Sequence, residues 1–128
     1  MDYDIFISYK NDGEGNNFAA RLKENLDRSG YSVYFNSHEQ RAGSFPERLR
    51  DAVSGCKDFI LLLSEGCISQ LTANHSVDWI REEILCARKA NKNIIPVLIG
   101  NAVMPSDKTE MPESLQFLPE QEALILPE

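Results

Sequence analysis

Basic residues are scarce in this sequence. Its 13 lysines and arginines are outnumbered by 20 aspartates and glutamates, which leaves a net charge of -7 over 128 residues. Nucleic acids and anionic membrane surfaces attract proteins through clusters of Lys and Arg, and the sequence holds no basic stripe. The composition therefore argues against a nucleic-acid partner and against a membrane partner.

Long hydrophobic runs are also missing. The longest apolar stretches, 59–63 and 94–99, are far shorter than the roughly 20 residues that a transmembrane helix needs. The N-terminus lacks the basic start and apolar run that are typical of a signal peptide. We expect a cytoplasmic protein.

Cysteine is rare, and phosphate-binding motifs are absent. Cys56, Cys67 and Cys86 are odd in number and do not have metal-ligand spacing, so they are interpreted as reduced thiols. The glycines of Gly13-Glu14-Gly15 are too few for a dinucleotide-binding fingerprint, and this segment is predicted to be a turn. We expect no metal site and no cofactor.

The residues that are present predict one α/β domain over 1–128. Short β-branched or aromatic runs alternate with amphipathic stretches, as in repeated βα units around a parallel sheet. The fold class we predict is a flavodoxin-like, doubly wound, five-stranded parallel sheet with helices on both faces. The predicted strands are Asp4–Ser8, Tyr31–Phe35, Phe59–Leu63, Asn93–Ile99 and Ala123–Leu126. The two apolar runs without alternation, 59–63 and 93–99, are expected in the middle of the sheet.

Helical spacing predicts where the connecting helices lie. The first helix carries Phe18, Leu22 and Leu26 and is closed by Gly30. A second helix is expected to begin near Phe45-Pro46, whereas the segment 64–75 is expected to be irregular. A third is predicted over 77–90, and its apolar stripe consists of Val77, Ile80, Ile84 and Ala87.

Trp79 and Glu83 are four residues apart on this predicted helix and therefore share a face. The helix begins near the carboxyl ends of the strands, where open α/β sheets bind ligands. An aromatic surface beside a carboxylate can hold a planar cation and stabilise positive charge that forms next to it. The alternative interpretation is a core tryptophan next to a solvated helix charge.

Six sequence blocks, in their order and spacing, resemble the Toll/interleukin-1 receptor (TIR) domains, particularly the bacterial and axonal members that cleave NAD. The resemblance covers nearly the whole chain. The blocks are Tyr3–Tyr9, Val33–Asn36, Arg41–Phe45, Phe59–Ser64, Asp78–Ile84 and Asn91–Val97.

The resemblance implies roles for particular residues. Glu83 matches the catalytic carboxylate, whereas the adjacent Glu82 does not, and Trp79 would flank the nicotinamide riboside. Five further positions would line or close the substrate pocket, namely Tyr9, Lys10, Asn11, Gly43 and Phe45. Alternatives stay open for these: Tyr9 as a cap of the sheet, Lys10 as a solvated charge, Gly43 as a turn residue and Phe45 as a helix-start staple. His38 and His75 are interpreted as surface residues.

The resemblance implies an NAD+ glycohydrolase that releases nicotinamide and gives ADP-ribose or a cyclic ADP-ribose isomer. NAD would be its substrate, and other copies of the domain would be its partners. The protein would act in immune or anti-phage signalling. The alternative is a non-catalytic TIR–TIR adaptor that docks through the loop 36–45. A phosphoacceptor receiver domain would need an Asp at the end of the third strand, where Ser64 stands. Compared with the family, we also expect the usual last helix to be missing from this sequence.

Overall fold

Strands and helices alternate over the first five described elements, as the sequence predicted, and two helices then lie between the third and fourth strands. The computed structural model describes residues 3–10, 13–35, 47–72, 79–100, 102–105, 115–118 and 124–126. Its elements, in chain order, are β1 (Ile5–Ser8), α1 (Gly13–Arg28), β2 (Val33–Phe35), α2 (Glu47–Gly55), β3 (Asp58–Leu63), α3 (Glu65–Thr72), α4 (Trp79–Lys89), β4 (Asn93–Ile99) and β5 (Leu124–Leu126). None of the helices in these segments has the length and apolar character needed to cross a bilayer.

All five described strands pair in parallel in the order β2-β1-β3-β4-β5. This is the strand order of flavodoxin-like doubly wound sheets, so the predicted fold class is confirmed. The prediction that β3 and β4 lie inside the sheet is also confirmed, since each has a strand on both sides.

Alternate residues of β1 supply two separate cores. Ile5 and Ile7 face α1 and pack in a cluster with Ala19 and Leu62. Phe6 faces the opposite side, where α2, α3 and α4 pack. On that side Phe6 stacks between the rings of neighbouring strands, with centroid distances of 5.1 Å to Tyr34 and 5.3 Å to Phe59. Helices therefore cover both faces of the sheet.

Two helices end in the same capping motif. After α1, Gly30 has a φ of 91°, and the N–H of Tyr31 donates to the carbonyl of Leu26 at 3.1 Å. After α4, Asn91 has a φ of 59°, and the N–H of Lys92 donates to the carbonyl of Ala87 at 2.9 Å. Both are Schellman motifs with a left-handed residue just past the helix. The predicted closure of the first helix at Gly30 is confirmed.

The structure contradicts two local predictions. The segment 64–75, expected to be irregular, contains α3. Although Gly66, Ser69 and Thr72 are poor helix formers, burial of Cys67 and Leu71 on one face outweighs their low propensity. The predicted turn at 13–15 is instead the first turn of α1. Packing of Phe18, Leu22 and Leu26 against the sheet offsets the entropic cost of its two glycines.

Candidate functional site

The strand order defines where a ligand is expected to bind. β1 lies between β2 and β3, and the connection from β1 leads to α1 on one face, whereas the connection from β3 leads to α3 and α4 on the other. In such sheets the crevice lies beyond the carboxyl ends of the strands where the order reverses. Here those ends are Ser8 of β1 and Leu63 of β3, each followed by polar or aromatic residues.

Helix α4 brings an acidic side chain to this region. Ile80, Ile84 and Ala87 of the predicted stripe are buried and pack in the core on that face of the sheet, whereas Val77 lies outside the described residues. Glu83 directly precedes Ile84 of that stripe and follows Ile80 by one turn, and it is 0% exposed. Because carboxylates are rarely buried without a specific partner, its burial needs an explanation.

Ser8 provides a partner for this carboxyl. The Ser8 hydroxyl donates a hydrogen bond of 2.7 Å to Oε1 of Glu83. Ser8 is also 0% exposed, and the two residues are 75 positions apart in sequence. The bond therefore connects the second turn of α4 to the carboxyl end of β1.

Two effects act on the ionisation of this buried carboxyl. Removal from water disfavours the charged form of a carboxyl, whereas a hydrogen bond donated to it favours the charged form. The Ser8 hydroxyl therefore acts in the direction that keeps Glu83 negative. In its ionised form, the Glu83 carboxyl can stabilise a positive charge that develops beside it.

Ser64 directly follows the last residue of β3 and has a different role. Its Oγ accepts a hydrogen bond of 3.1 Å from the N–H of Cys67. Its carbonyl accepts another, of 3.0 Å, from the N–H of Ile68. These bonds make Ser64 the N-cap of α3, and Ser64 is 2% exposed.

The structure locates some of the sequence-predicted site residues. Tyr9 is 0% exposed and packs in the cluster on the α1 side of the sheet, so its ring belongs to that core. Lys10 follows it and is half-buried, while Glu82 on α4 is exposed. Trp79 begins α4, but its side chain lies outside what the structure describes. Their predicted contacts with substrate stay predictions.

Three other predicted positions, Asn11, Gly43 and Phe45, lie outside the described residues, as do His38 and His75. The predicted helix start at Phe45-Pro46 lies there too. Among the residues that the structure does describe, no group of three or more His, Cys, Asp or Glu side chains is arranged to hold a metal ion.

Ser8 is the site residue that sequence reasoning missed. It was interpreted only as the last residue of a strand. The available signal was a hydroxyl at the end of an otherwise apolar strand, since a buried hydroxyl needs a hydrogen-bond partner. Nothing in the local pattern indicates that this partner is Glu83.

Comparison with known proteins identifies relatives of the chain. A sequence model of the TIR domain family matches residues 5–122. The chain is 36% identical over 116 residues to "NAD(+) hydrolase SARM1" of Danio rerio, and 30% identical over 116 residues to "NAD(+) hydrolase tir-1" of Caenorhabditis elegans. Each match covers 90% of this chain but only 16% and 12% of those relatives, so the chain spans a small part of their length.

A solved structure gives an independent comparison of the fold. The TIR domains of the activated Roq1 resistosome, which recognises the pathogen effector XopQ, superimpose with a TM-score of 0.63 at 20% identity. The match covers 94% of this chain and 71% of that one. At this level of identity, the similarity establishes a shared fold.

Proposed function

The chain belongs to the TIR domain family, and from this premise we propose that it is an NAD+ glycohydrolase. The observation that carries the proposal is the Glu83 carboxyl, buried near the carboxyl end of β1 and held there by Ser8 at 2.7 Å. The match to two relatives named NAD(+) hydrolases, at 36% and 30% identity, supports the same activity.

The proposed reaction breaks the bond between nicotinamide and C1′ of the ribose. The transition state of such a glycosidic cleavage resembles an oxocarbenium ion, with positive charge on the ribose. The carboxylate of Glu83 would stabilise that charge electrostatically. Nicotinamide takes the bonding electrons and leaves as a neutral molecule, so the departure needs no general acid. One carboxylate can then do what ordinary glycosidases do with two.

The second product depends on what attacks the ribose. Water would give ADP-ribose, whereas an adenine nitrogen or a ribose hydroxyl of the same molecule would give a cyclic isomer. NAD+ is the substrate in this scheme, and no cofactor takes part.

Self-association is part of the proposal. Glu83 is 0% exposed in the single chain, so a substrate reaches it only after neighbouring groups move. Contact with a second copy of the chain would supply the free energy for that movement. Assembly of a TIR protein in the Roq1 resistosome is consistent with such a mechanism. We place the protein in cytoplasmic immune signalling, with anti-phage defence as one setting.

The same burial of Glu83 favours a second candidate function. A TIR domain whose carboxyl stays closed to solvent would serve as a non-catalytic module that binds other TIR domains. In that case Glu83 and Ser8 would be structural, and the protein would leave NAD+ intact at every concentration.

Chromatography of NAD+ incubated with the protein tests the two functions. We expect nicotinamide release by the wild-type chain, with specific activity that rises with protein concentration, and no release by Glu83→Gln. The retention time of the second product distinguishes ADP-ribose from a cyclic isomer.

The alternative outcomes are equally informative. Intact NAD+ with wild-type protein clustered on beads would contradict the glycohydrolase and favour the interaction module. Specific activity that is independent of concentration would contradict only the role of self-association.

A further inference from the structure

The inference concerns Ser8 and rests on the proposed function. The side chain of Ser8 points to the same face of the sheet as Phe6, two residues earlier, because strand residues alternate between faces. That face carries α4. Ser8 is fully buried there, and a buried hydroxyl without a hydrogen bond would be costly.

The Ser8 hydroxyl donates to the side chain of Glu83. A glutamate side chain has three rotatable bonds, and losing their freedom has an entropic cost. Fixing Oε1 at 2.7 Å from a strand residue restricts the orientation of the whole carboxyl plane. Catalysis is sensitive to misplacement of a reacting group by about 1 Å.

The contrast with Ser64 indicates that this arrangement is specific. Both serines end or follow adjacent strands, and both are buried. Ser64 accepts a hydrogen bond from the backbone of α3 and so stabilises a helix. Ser8 instead donates to a carboxyl on α4, an interaction that stabilises negative charge.

We infer that Ser8 is a positioning residue for Glu83. Its hydroxyl holds Oε1 and so fixes the orientation in which the carboxylate faces the ribose as the glycosidic bond breaks. Ser8 itself does not touch the substrate. Its loss should therefore slow the chemical step, while substrate binding remains nearly unchanged.

Two isosteric variants separate this role from simple packing. Ser8→Thr keeps the hydroxyl, whereas Ser8→Val has the same shape without it, and β-branched residues suit a strand. We expect Ser8→Val to lower kcat about 10- to 100-fold, which is the effect of losing a hydrogen bond to a charged group. KM should change by less than about twofold. Ser8→Thr should keep kcat within about threefold of wild type because the donor remains.

Ile84→Val provides a matched control on the same helix. It removes one buried methylene beside Glu83 without touching the hydrogen bond, so it should lower Tm and leave kcat unchanged. Equal losses of kcat in Ser8→Thr and Ser8→Val would assign the effect to packing and overturn the inference. Full kcat in Ser8→Val would overturn it as well.

A spectroscopic measurement distinguishes failure of this inference from failure of the proposed function. The ¹³Cδ resonance of Glu83 should move in Ser8→Val and stay near its wild-type position in Ser8→Thr. If wild type does not cleave NAD+, the proposed function fails and the positioning role fails with it, although a resonance that moves would still establish the contact. If wild type cleaves NAD+ and the resonance is the same in both variants, only the inference about Ser8 fails.

Discussion

Replacing Glu83 by Gln should abolish activity without destabilising the fold. Glu83 is 0% exposed, so its substitution is a core substitution. Glu and Gln have nearly the same size, which means that no cavity forms, and the Gln carbonyl can still accept the Ser8 hydroxyl. The change therefore keeps the size of the buried side chain and removes its ability to carry a negative charge.

The expected change in the free energy of unfolding can be worked out for either protonation state of the Glu83 carboxyl. If the carboxyl is ionised, a charge-assisted hydrogen bond of about 1.5–3 kcal/mol becomes a neutral one of about 0.5–1.5 kcal/mol. Removal of a desolvation penalty of several kcal/mol more than offsets that loss. If the carboxyl is protonated, one neutral group replaces another, with a change of no more than about 1 kcal/mol. The free energy of unfolding should thus rise, or fall by at most about 1 kcal/mol.

Urea unfolding, monitored by circular dichroism, measures the difference in the free energy of unfolding between Glu83→Gln and wild type. Glu82→Gln is the control, because Glu82 is its exposed neighbour on α4 and should change stability by less than about 0.5 kcal/mol. A loss of about 3 kcal/mol or more in Glu83→Gln would refute the reasoning. Such a loss is typical of breaking a buried ion pair and would make Glu83 a structural residue.

Four further predictions concern the rest of the described structure. Gly30→Ala should lower the free energy of unfolding by about 1 kcal/mol in urea titrations, because a φ of 91° strains any residue with a Cβ. Asn91→Gly should raise the free energy of unfolding by a few tenths to about 1 kcal/mol, because Asn91 has a positive φ of 59° that glycine adopts without strain. The hydrogen bond that the Ser32 N–H donates to Asp4 at 2.9 Å lowers the pKa of the Asp4 carboxyl in the folded state. The stabilisation that Asp4 contributes is therefore present above about pH 4 and is lost as the pH falls through the folded-state pKa. The stability difference between wild type and Asp4→Asn, measured across pH 2–7, should accordingly shrink on the acid side, and a constant difference would contradict this. Burial raises the pKa of Cys56 to about 11, so this thiol should resist iodoacetamide at pH 8 in the native protein and react on unfolding, as mass spectrometry of the modified peptide would show.

The sequence predicts the sheet well, for physical reasons. The bounds of β4, Asn93–Ile99, agree with the prediction, because an unalternated apolar run between turn residues has few other structures available. The buried stripe of α4 also follows from its periodicity. Helix α3 could not be predicted in the same way, because its stability comes from tertiary burial of Cys67 and Leu71 and not from local propensity.

The site was predictable only in part. Helical spacing locates Glu83 next to the buried stripe, but full burial depends on which strand lies beneath it. The contact with Ser8 joins residues 75 positions apart, and no local pattern encodes such a pairing. The packing of α4 on the sheet brings the side chains of Ser8 and Glu83 together, so the structure was required to find this hydrogen bond.

The most direct test of the account compares Glu83→Gln with Glu82→Gln in a nicotinamide-release assay at the same high protein concentration. The two variants change the same chemical group on neighbouring residues of one helix, one buried and one exposed. The account predicts that Glu82→Gln cleaves NAD+ at close to the wild-type rate, whereas Glu83→Gln, although folded, releases no nicotinamide above background. Equal rates in the two variants would contradict the assignment of Glu83 as the catalytic carboxylate.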